Sequence, residues 1–241
     1  TPEENDENRI APNIIPGSPI YYEDTSYKII NQEQQHTPNS PVPASNFQGL
    51  LDNVTSIPPD VGGAAGPNHL MVTHNSGVRI LSKAGVSISS VSLSNFWSPL
   101  GSFSNVYDPK VNYDPYSQRW MVTSCGDAEL ASSCLLVAVS QTNDPTGSWY
   151  FYKIDADAAD NTWFDYPSFG FNKNWIIVTG NMFTVSADNF STGKIWVLDK
   201  ANFYSGGSGN FTAINSGSNG FTICPAVTFD STINTEYLLQ E

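Results

Sequence analysis

The chain has 241 residues, and its 23 Asp and Glu against 10 Lys and Arg give a formal net charge of −13. This charge argues against a nucleic-acid partner, because binding to a phosphate backbone needs a cationic surface. No apolar run approaches the roughly 20 residues of a membrane-spanning helix. Charged residues make up 14% of the chain, against about 25% in an ordinary domain. The composition favours an all-β protein that is secreted or displayed at the cell surface.

Residues 1–56 differ from the rest of the chain because they are rich in proline and in acids. Proline removes backbone donors and blocks helices, and the apolar residues here form short groups without a sustained period. These features predict an arm that is disordered or lies extended on the surface. The alternative is an arm that docks on a partner or closes the fold through the aromatic and aliphatic patches at 21–22 and 27–30.

From residue 57 onward, short β-rich runs are separated by Gly, Asn, Asp and Pro turns. This pattern predicts strands, and no amphipathic helix is predicted. The predicted strands cover residues 69–73, 78–81, 119–123, 134–140, 149–154, 175–179, 194–198 and 225–229.

A repeat organises these runs. Pro109, Pro167 and Pro225 lie 58 residues apart, and they open the hexapeptides PKVNYD, PSFGFN and PAVTFD. Similarity between NHLMVTHN (68–75) and NWIIVTGN (174–181) implies an earlier unit, so units start near residues 61, 109, 167 and 225. Four short antiparallel strands in each unit of about 40–60 residues are typical of a β-propeller blade. The alternative is a β-sandwich with a chance period.

Residues 57–241 have room for three such blades and the first half of a fourth. An open arc of blades would expose sheet faces and edges that favour aggregation. We therefore expect an incomplete portion of a six- or seven-bladed ring, with a truncated last blade. Further sequence or another chain would supply the remainder.

Four segments resemble a family of large secreted bacterial β-propeller proteins: IPPDVGGAAGPNHLMV (57–72), YDPKVNYDPYSQRWMV (107–122), VAVSQTNDPTGSWYFYKID (137–155) and WFDYPSFGFNKNWIIVTGNMF (163–183). The resemblance covers roughly residues 57–241. It implies a propeller exported to the cell surface, often with a C-terminal sorting domain, and it implies no particular chemistry. Residues 140–149 also resemble a sialidase-type Asp-box with extra residues. That motif is a structural turn between the third and fourth strands of a blade.

Two of the three cysteines flank one predicted hairpin loop. A disulfide between Cys125 and Cys134 would close that loop, stabilise the folded state by about 2–3 kcal/mol and suit an oxidising compartment. The alternative is a pair of reduced thiols. Cys224 is left over, either buried at the start of a strand or paired outside this chain.

Acids precede the first strand of three predicted blades: Asp60, Asp108 and Asp165. The loops that lead into the innermost strands of a propeller line the mouth of its central channel, so these carboxylates would converge there. Such a group can share acid–base work, bind a hard cation or flank a glycosidic bond. The alternative is that each Asp caps a local turn.

Two further groups of residues are candidates for ligand contact. Trp97 and Trp163 fall in predicted loops on the same face as the acids, where exposed indoles would form platforms for sugar rings; packing between blades is the competing interpretation. Asp155, Asp157 and Asp160 form an acidic cluster with the oxygen ligands that Ca²⁺ prefers. Its spacing is not that of an EF-hand, and a solvated loop is the alternative.

These observations favour a binding or adhesion module for carbohydrate or for a surface protein. The rival hypothesis is a polysaccharide-active enzyme, a glycoside hydrolase or lyase that uses Asp60, Asp108 or Asp165. A sialidase is disfavoured because it needs three arginines on the substrate, and one of the three in this chain, Arg9, lies in the arm. The third hypothesis is a structural or cargo component of a surface assembly, held through the arm.

Overall fold

The computed structural model describes residue 43 and residues 45–51 and 55–240. Most of the expected proline-rich arm, residues 1–56, therefore lies outside the described residues. The described chain forms three four-stranded antiparallel sheets and then a two-stranded one. Within each sheet, hydrogen-bonded neighbours are also consecutive in the sequence.

The strands are as follows. Blade 1 consists of β1 (Gly62–Ala65), β2 (His69–His74), β3 (Gly77–Ser82) and β4 (Ser87–Ser92). Blade 2 consists of β5 (Val106–Asp114), β6 (Arg119–Gly126), β7 (Cys134–Ser140) and β8 (Trp149–Asp155). Blade 3 consists of β9 (Thr162–Phe171), β10 (Trp175–Thr184), β11 (Phe190–Asp199) and β12 (Phe211–Gly217). The half-blade consists of β13 (Cys224–Pro225) and β14 (Leu238–Leu239).

The first strand of each blade contacts the first strand of the next: β1 contacts β5, β5 contacts β9, and β9 contacts β13. The blades therefore pack face to face with their first strands innermost, which is the architecture of a β-propeller. The fold is an incomplete β-propeller, as the repeat predicts. Two five-residue helices, α1 (Leu93–Trp97) and α2 (Lys200–Tyr204), follow β4 and β11. Among the described residues, no helix is long and apolar enough to cross a membrane.

The 58-residue repeat has a direct hydrogen-bonding counterpart. The carboxylate oxygen of Asp114 accepts a bond from the backbone N–H of Tyr116, two residues on. The amide oxygen of Asn172 accepts in the same way from Asn174, and the carboxylate of Asp230 accepts from Thr232. Asp and Asn favour such turns because the short side chain reaches the backbone two residues later. The final residue of each hexapeptide therefore closes the turn that follows it.

Burial along β7 explains why its sequence, CLLVAVS, does not alternate between apolar and polar residues. All seven residues are buried. Leu135 and Val137 point into the core shared with blade 3, whereas Leu136 and Ala138 point into the core shared with blade 1. A sheet that packs on both faces needs apolar residues at every position.

The same two-sidedness overturns the expected disulfide. Cys125 and Cys134 are both free and buried. Cys125 pairs with Leu135 in the sheet, whereas Cys134 pairs with Gly126. Adjacent positions on a strand point to opposite faces, so one thiol joins the core toward blade 3 and the other joins the core toward blade 1. The prediction of a Cys125–Cys134 disulfide is wrong, because the sheet itself separates the sulfurs. Cys224 is exposed rather than buried.

A buried ion pair connects blades 2 and 3. The Nζ atom of Lys200, at the start of α2, lies 2.8 Å from Oδ2 of Asp114 at the end of β5. Both residues are almost fully buried. Lys200 also donates to the carbonyl of Asn172, and the hydroxyl of Tyr204 donates to Asp114. The ammonium group lies 5.0–5.6 Å from the ring centroids of Tyr116, Phe171 and Tyr204.

The face of blade 1 that points away from blade 2 is covered by residues 45–51. Arg79 donates a hydrogen bond of 3.0 Å to the carbonyl of Gly49, and Gly49 packs against Val72. Val72 and Arg79 alternate in sequence with Met71 and Ile80, which face blade 2. A cavity of about 450 Å³ remains under this cover, bordered by Leu51 among others.

Candidate functional site

The innermost strands are irregular near their starts, and we call this end of the sheets, where the expected acids lie, the mouth. Pairing of β5 with β6 is interrupted between Tyr107 and Lys110, and pairing of β9 with β10 is interrupted between Asp165 and Ser168. Proline cannot donate to a ladder and is therefore tolerated at such bulges. Pro109 and Pro167 lie within these two interruptions.

Asn75, in the turn between β2 and β3 of blade 1, links Asp60, which precedes β1, to Asp108 near the start of β5. Its amide oxygen accepts a 2.7 Å bond from the backbone N–H of Asp108. Its amide nitrogen donates to the carbonyl of Pro58 at 3.0 Å and lies 3.4 Å from Oδ2 of Asp60. One side chain therefore connects two neighbouring loops at the mouth and brings their carboxyl groups together.

Asp60, Asp108 and Asp165 lie close enough to influence one another. The carboxyl group of Asp108 shares a hydrogen bond with that of Asp60. Burial raises the pKa of Asp108 well above its usual value, and the bond with Asp60 and the charge of Asp165 raise it further. Lys110 acts in the opposite direction. The raised pKa of Asp108 favours its protonated form, and a protonated carboxyl group donates a hydrogen bond as well as accepting them.

Below these acids, the innermost strands of all four sheets border an open cavity of about 330 Å³. Lys110 and Asn112 line it from β5, and Tyr166 and Ser168 line it from β9. Cys224 of the half-blade reaches the same space, with its sulfur 3.6 Å from the hydroxyl of Ser168. A volume of this size is at the lower end of small-molecule sites.

Trp97 and Trp163 are not exposed platforms, and as ligand-binding candidates they are wrong. Both are buried. The indole N–H of Trp97, at the end of α1, donates to the hydroxyl of Ser124 in blade 2. The indole N–H of Trp163 donates to Asp188 within blade 3. The two indoles pack in the cores between blades, because the helix and the longer strand that contain them replace the predicted loops.

In the acidic loop at Asp155, Asp157 and Asp160, the carboxylates of Asp155 and Asp157 accept hydrogen bonds within the loop. Within the part of the chain that the structure describes, no group of three or more His, Cys, Asp or Glu is placed to hold a metal ion. Burial opposes ionisation of Asp157, but hydrogen bonds from the hydroxyl of Thr162 and from backbone N–H groups lower its pKa. Its carboxylate oxygens therefore serve the loop itself.

Sequence reasoning missed Asn75 and Tyr166. Asn75 ends the segment NHLMVTHN, and its counterpart Asn181 ends NWIIVTGN. The amide oxygen of Asn181 accepts from the backbone N–H of Thr222, just as Asn75 accepts from Asp108. The repeated terminal Asn was therefore an available signal for a link between successive blades.

No protein-family model matches the chain, and no curated protein matches it either. The GH43 endo-arabinanase from Bacillus licheniformis aligns with a TM-score of 0.39 and 16% identity over 71% of this chain. The native arabinanase from Bacillus subtilis aligns with a TM-score of 0.40 and 16% identity over 71% of this chain. The subtype N11 neuraminidase-like protein of A/flat-faced bat/Peru/033/2010 (H18N11) aligns with a TM-score of 0.42 and 11% identity over 64% of this chain. The chain spans 61%, 62% and 37% of these three structures, in that order.

Proposed function

We propose that this chain belongs to a secreted or cell-surface β-propeller that binds carbohydrate at the mouth of its central channel. The observation that supports the proposal is the gathering of Asp60, Asp108 and Asp165 next to the open cavity, where burial and the two neighbouring acids raise the pKa of Asp108. The remaining blades would complete the walls of the site.

The ligand class follows from the hydrogen-bonding character of the mouth. An ionised carboxylate only accepts hydrogen bonds, whereas a protonated one also donates. Sugar hydroxyls both donate and accept, and so they match a mouth whose carboxyl oxygens accept hydrogen bonds and where a protonated Asp108 also donates one. An anionic ligand fits poorly, because the acids of the mouth and a net charge of −13 would repel it.

Glycoside hydrolysis is the second candidate, favoured by the raised pKa of Asp108, because a general acid must keep its proton near neutral pH. Asp60 and Asp108 cannot be the two catalytic carboxyl groups, since they are in direct hydrogen-bond contact. A retaining enzyme separates its pair by about 5 Å and an inverting one by more. The enzymatic alternative would therefore use Asp108 as the acid, with Asp165 or a carboxyl group outside this chain as its partner.

A glycan array probed with the full-length protein tests the proposal. We expect binding to neutral oligosaccharides that falls at least tenfold for Asp108→Asn and for Asp165→Asn. The matched control is Asp144→Asn, because Asp144 is exposed and lies in the turn between β7 and β8, at the other end of the sheet. Absence of binding to any glycan would refute the carbohydrate assignment.

The same glycans, incubated with the protein and assayed for new reducing ends, separate binding from hydrolysis. Glycan binding without the appearance of new reducing ends supports a carbohydrate-binding module. The protein would instead be an enzyme if new reducing ends appear with the wild type and with Asp144→Asn but not with Asp108→Asn or Asp165→Asn.

A further inference from the structure

Tyr166 has an unusual backbone conformation for an aromatic residue. Its φ is 55°, in the left-handed region, which is a genuine outlier for a bulky side chain. More than half of the residue, 55%, is exposed to solvent. Strained residues of this kind persist where the surroundings hold them, and they cluster at ligand sites.

The local structure holds Tyr166 in place. It lies in the bulge of β9, directly before Pro167 and opposite Gly180 of β10. A Cβ atom at Gly180 would collide with the ring of Phe164 and approach the carbonyl of Asp165. The missing side chain at Gly180 makes room for the ring of Phe164 and the carbonyl of Asp165. Tyr166, the next residue in the bulge, is exposed to solvent.

The position of Tyr166 recurs in every sheet. Asp60 (φ 46°), Asp108 (φ 50°) and Thr222 (φ 54°) are left-handed residues just before or at the start of the other innermost strands. The four positions therefore surround the channel mouth. Three carry short polar side chains, and Tyr166 presents an aromatic ring there.

Tyr166 also borders the 330 Å³ cavity, together with Lys110 and Ser168. It directly follows Asp165, one of the three acids of the mouth. A flat apolar ring beside hydrogen-bonding carboxyl groups matches a sugar, which has an apolar face of C–H groups and a rim of hydroxyls.

We propose that Tyr166 is the stacking platform of the site and holds one ring of a neutral sugar, whose hydroxyls meet the small exposed parts of the largely buried Asp108 and Asp165. This inference rests on the proposed function and names the side chain that selects a ring-shaped ligand. It gives Tyr166 the role that sequence reasoning offered to Trp97 and Trp163.

The test is calorimetric titration of the full-length protein with its best glycan from the array. We expect Tyr166→Ala to weaken binding roughly tenfold, a change of about 1.4 kcal/mol, while Tyr166→Phe keeps the affinity within about twofold because the ring remains. The aromatic control is Trp175→Ala, since Trp175 is 40% exposed and begins β10 at the far end of the blade from the bulge.

Tyr166→Gly separates a binding role from a structural one. Glycine adopts positive φ without strain, so this variant should have an unchanged or higher Tm and yet lose affinity as Tyr166→Ala does. If the wild type binds a glycan and both variants bind it equally well, the platform is refuted and the proposed function stands. If the wild type binds no glycan, the proposed function fails and this inference fails with it.

Discussion

Removal of the buried ammonium of Lys200 should destabilise the contact between blades 2 and 3. Lys200→Met keeps most of the side-chain volume and deletes the charge. Asp114 is then left as a buried carboxylate, with no exposed surface to recover solvation. The hydroxyl of Tyr204 and the backbone N–H of Tyr116 would remain as donors to it, which compensates only part of the lost ammonium.

The magnitude follows from the geometry. At 2.8 Å and an effective dielectric constant of about 20, the attraction between the two charges is about 6 kcal/mol. The cost of desolvating both charges offsets much of this attraction, so the pair itself is close to neutral in stability. Deleting one partner, by contrast, leaves a buried charge and costs about 3–5 kcal/mol. For a chain of this size, that loss lowers Tm by roughly 6–20 °C.

The assay is urea unfolding followed by fluorescence of the six tryptophans. Lys200→Met is compared with the double variant Lys200→Met/Asp114→Asn and with Lys83→Met, which removes an exposed lysine. We expect the control to change the free energy of unfolding by less than about 0.5 kcal/mol. The double variant should be more stable than Lys200→Met, because no unpaired charge remains.

Two results would refute this reasoning. One is a Lys200→Met protein within about 1 kcal/mol of the wild type, which would mean that Asp114 has access to solvent. The other is a double variant that is less stable than Lys200→Met, which would mean that the carboxylate is held by other donors and not by the lysine.

Three further predictions concern titration and thiols. The pKa of Asp108 is raised in the folded state, so protonation of Asp108 stabilises the fold and this contribution is lost as pH rises from about 4. In a pH series of melting curves, Asp108→Asn should therefore gain stability relative to the wild type as pH rises from that value. Burial raises the pKa of Glu236 to about 7. The free energy of unfolding of Glu236→Gln should therefore exceed that of the wild type by an amount that grows between pH 4.5 and 7, to about 1 kcal/mol after solvent screening. A difference in stability that shrinks over this range would contradict the raised pKa. Without reductant, the native protein should react with a thiol reagent at the exposed Cys224, and the denatured protein should also react at Cys125 and Cys134. A single reactive thiol after denaturation would indicate a disulfide.

The propeller could be predicted from sequence because the same physical requirement recurs at each blade. Asp114, Asn172 and Asp230 close equivalent turns, so the period remains visible without any alignment. The predicted strand at 225–229 is shorter in the structure, where β13 ends at Pro225. Phe171 and Val227 form an isolated bridge beyond it. The period locates the turn at Asp230 correctly but does not show how much of the strand before it is paired.

The candidate site was less predictable, because it depends on which way side chains point. Trp97 and Trp163 have the composition of surface platforms, and only helix α1 and strand β9 show that they point inward. Cys125 and Cys134 are close in sequence, yet they face opposite sides of one sheet. Tyr166 carried no clear signal, because it lies in a bulge of β9 where the pairing is interrupted.

The cover formed by residues 45–51 makes the two sides of the arc unlike. A sheet that packs against blade 1 must first displace or enclose this segment, at the cost of the bond between Arg79 and Gly49, about 1 kcal/mol. On the other side, the half-blade presents Phe229 and Leu239 at 65% and 72% exposure. A sheet that packed on the half-blade would meet exposed apolar side chains at once, whereas a sheet that packed on blade 1 would compete with the covering segment.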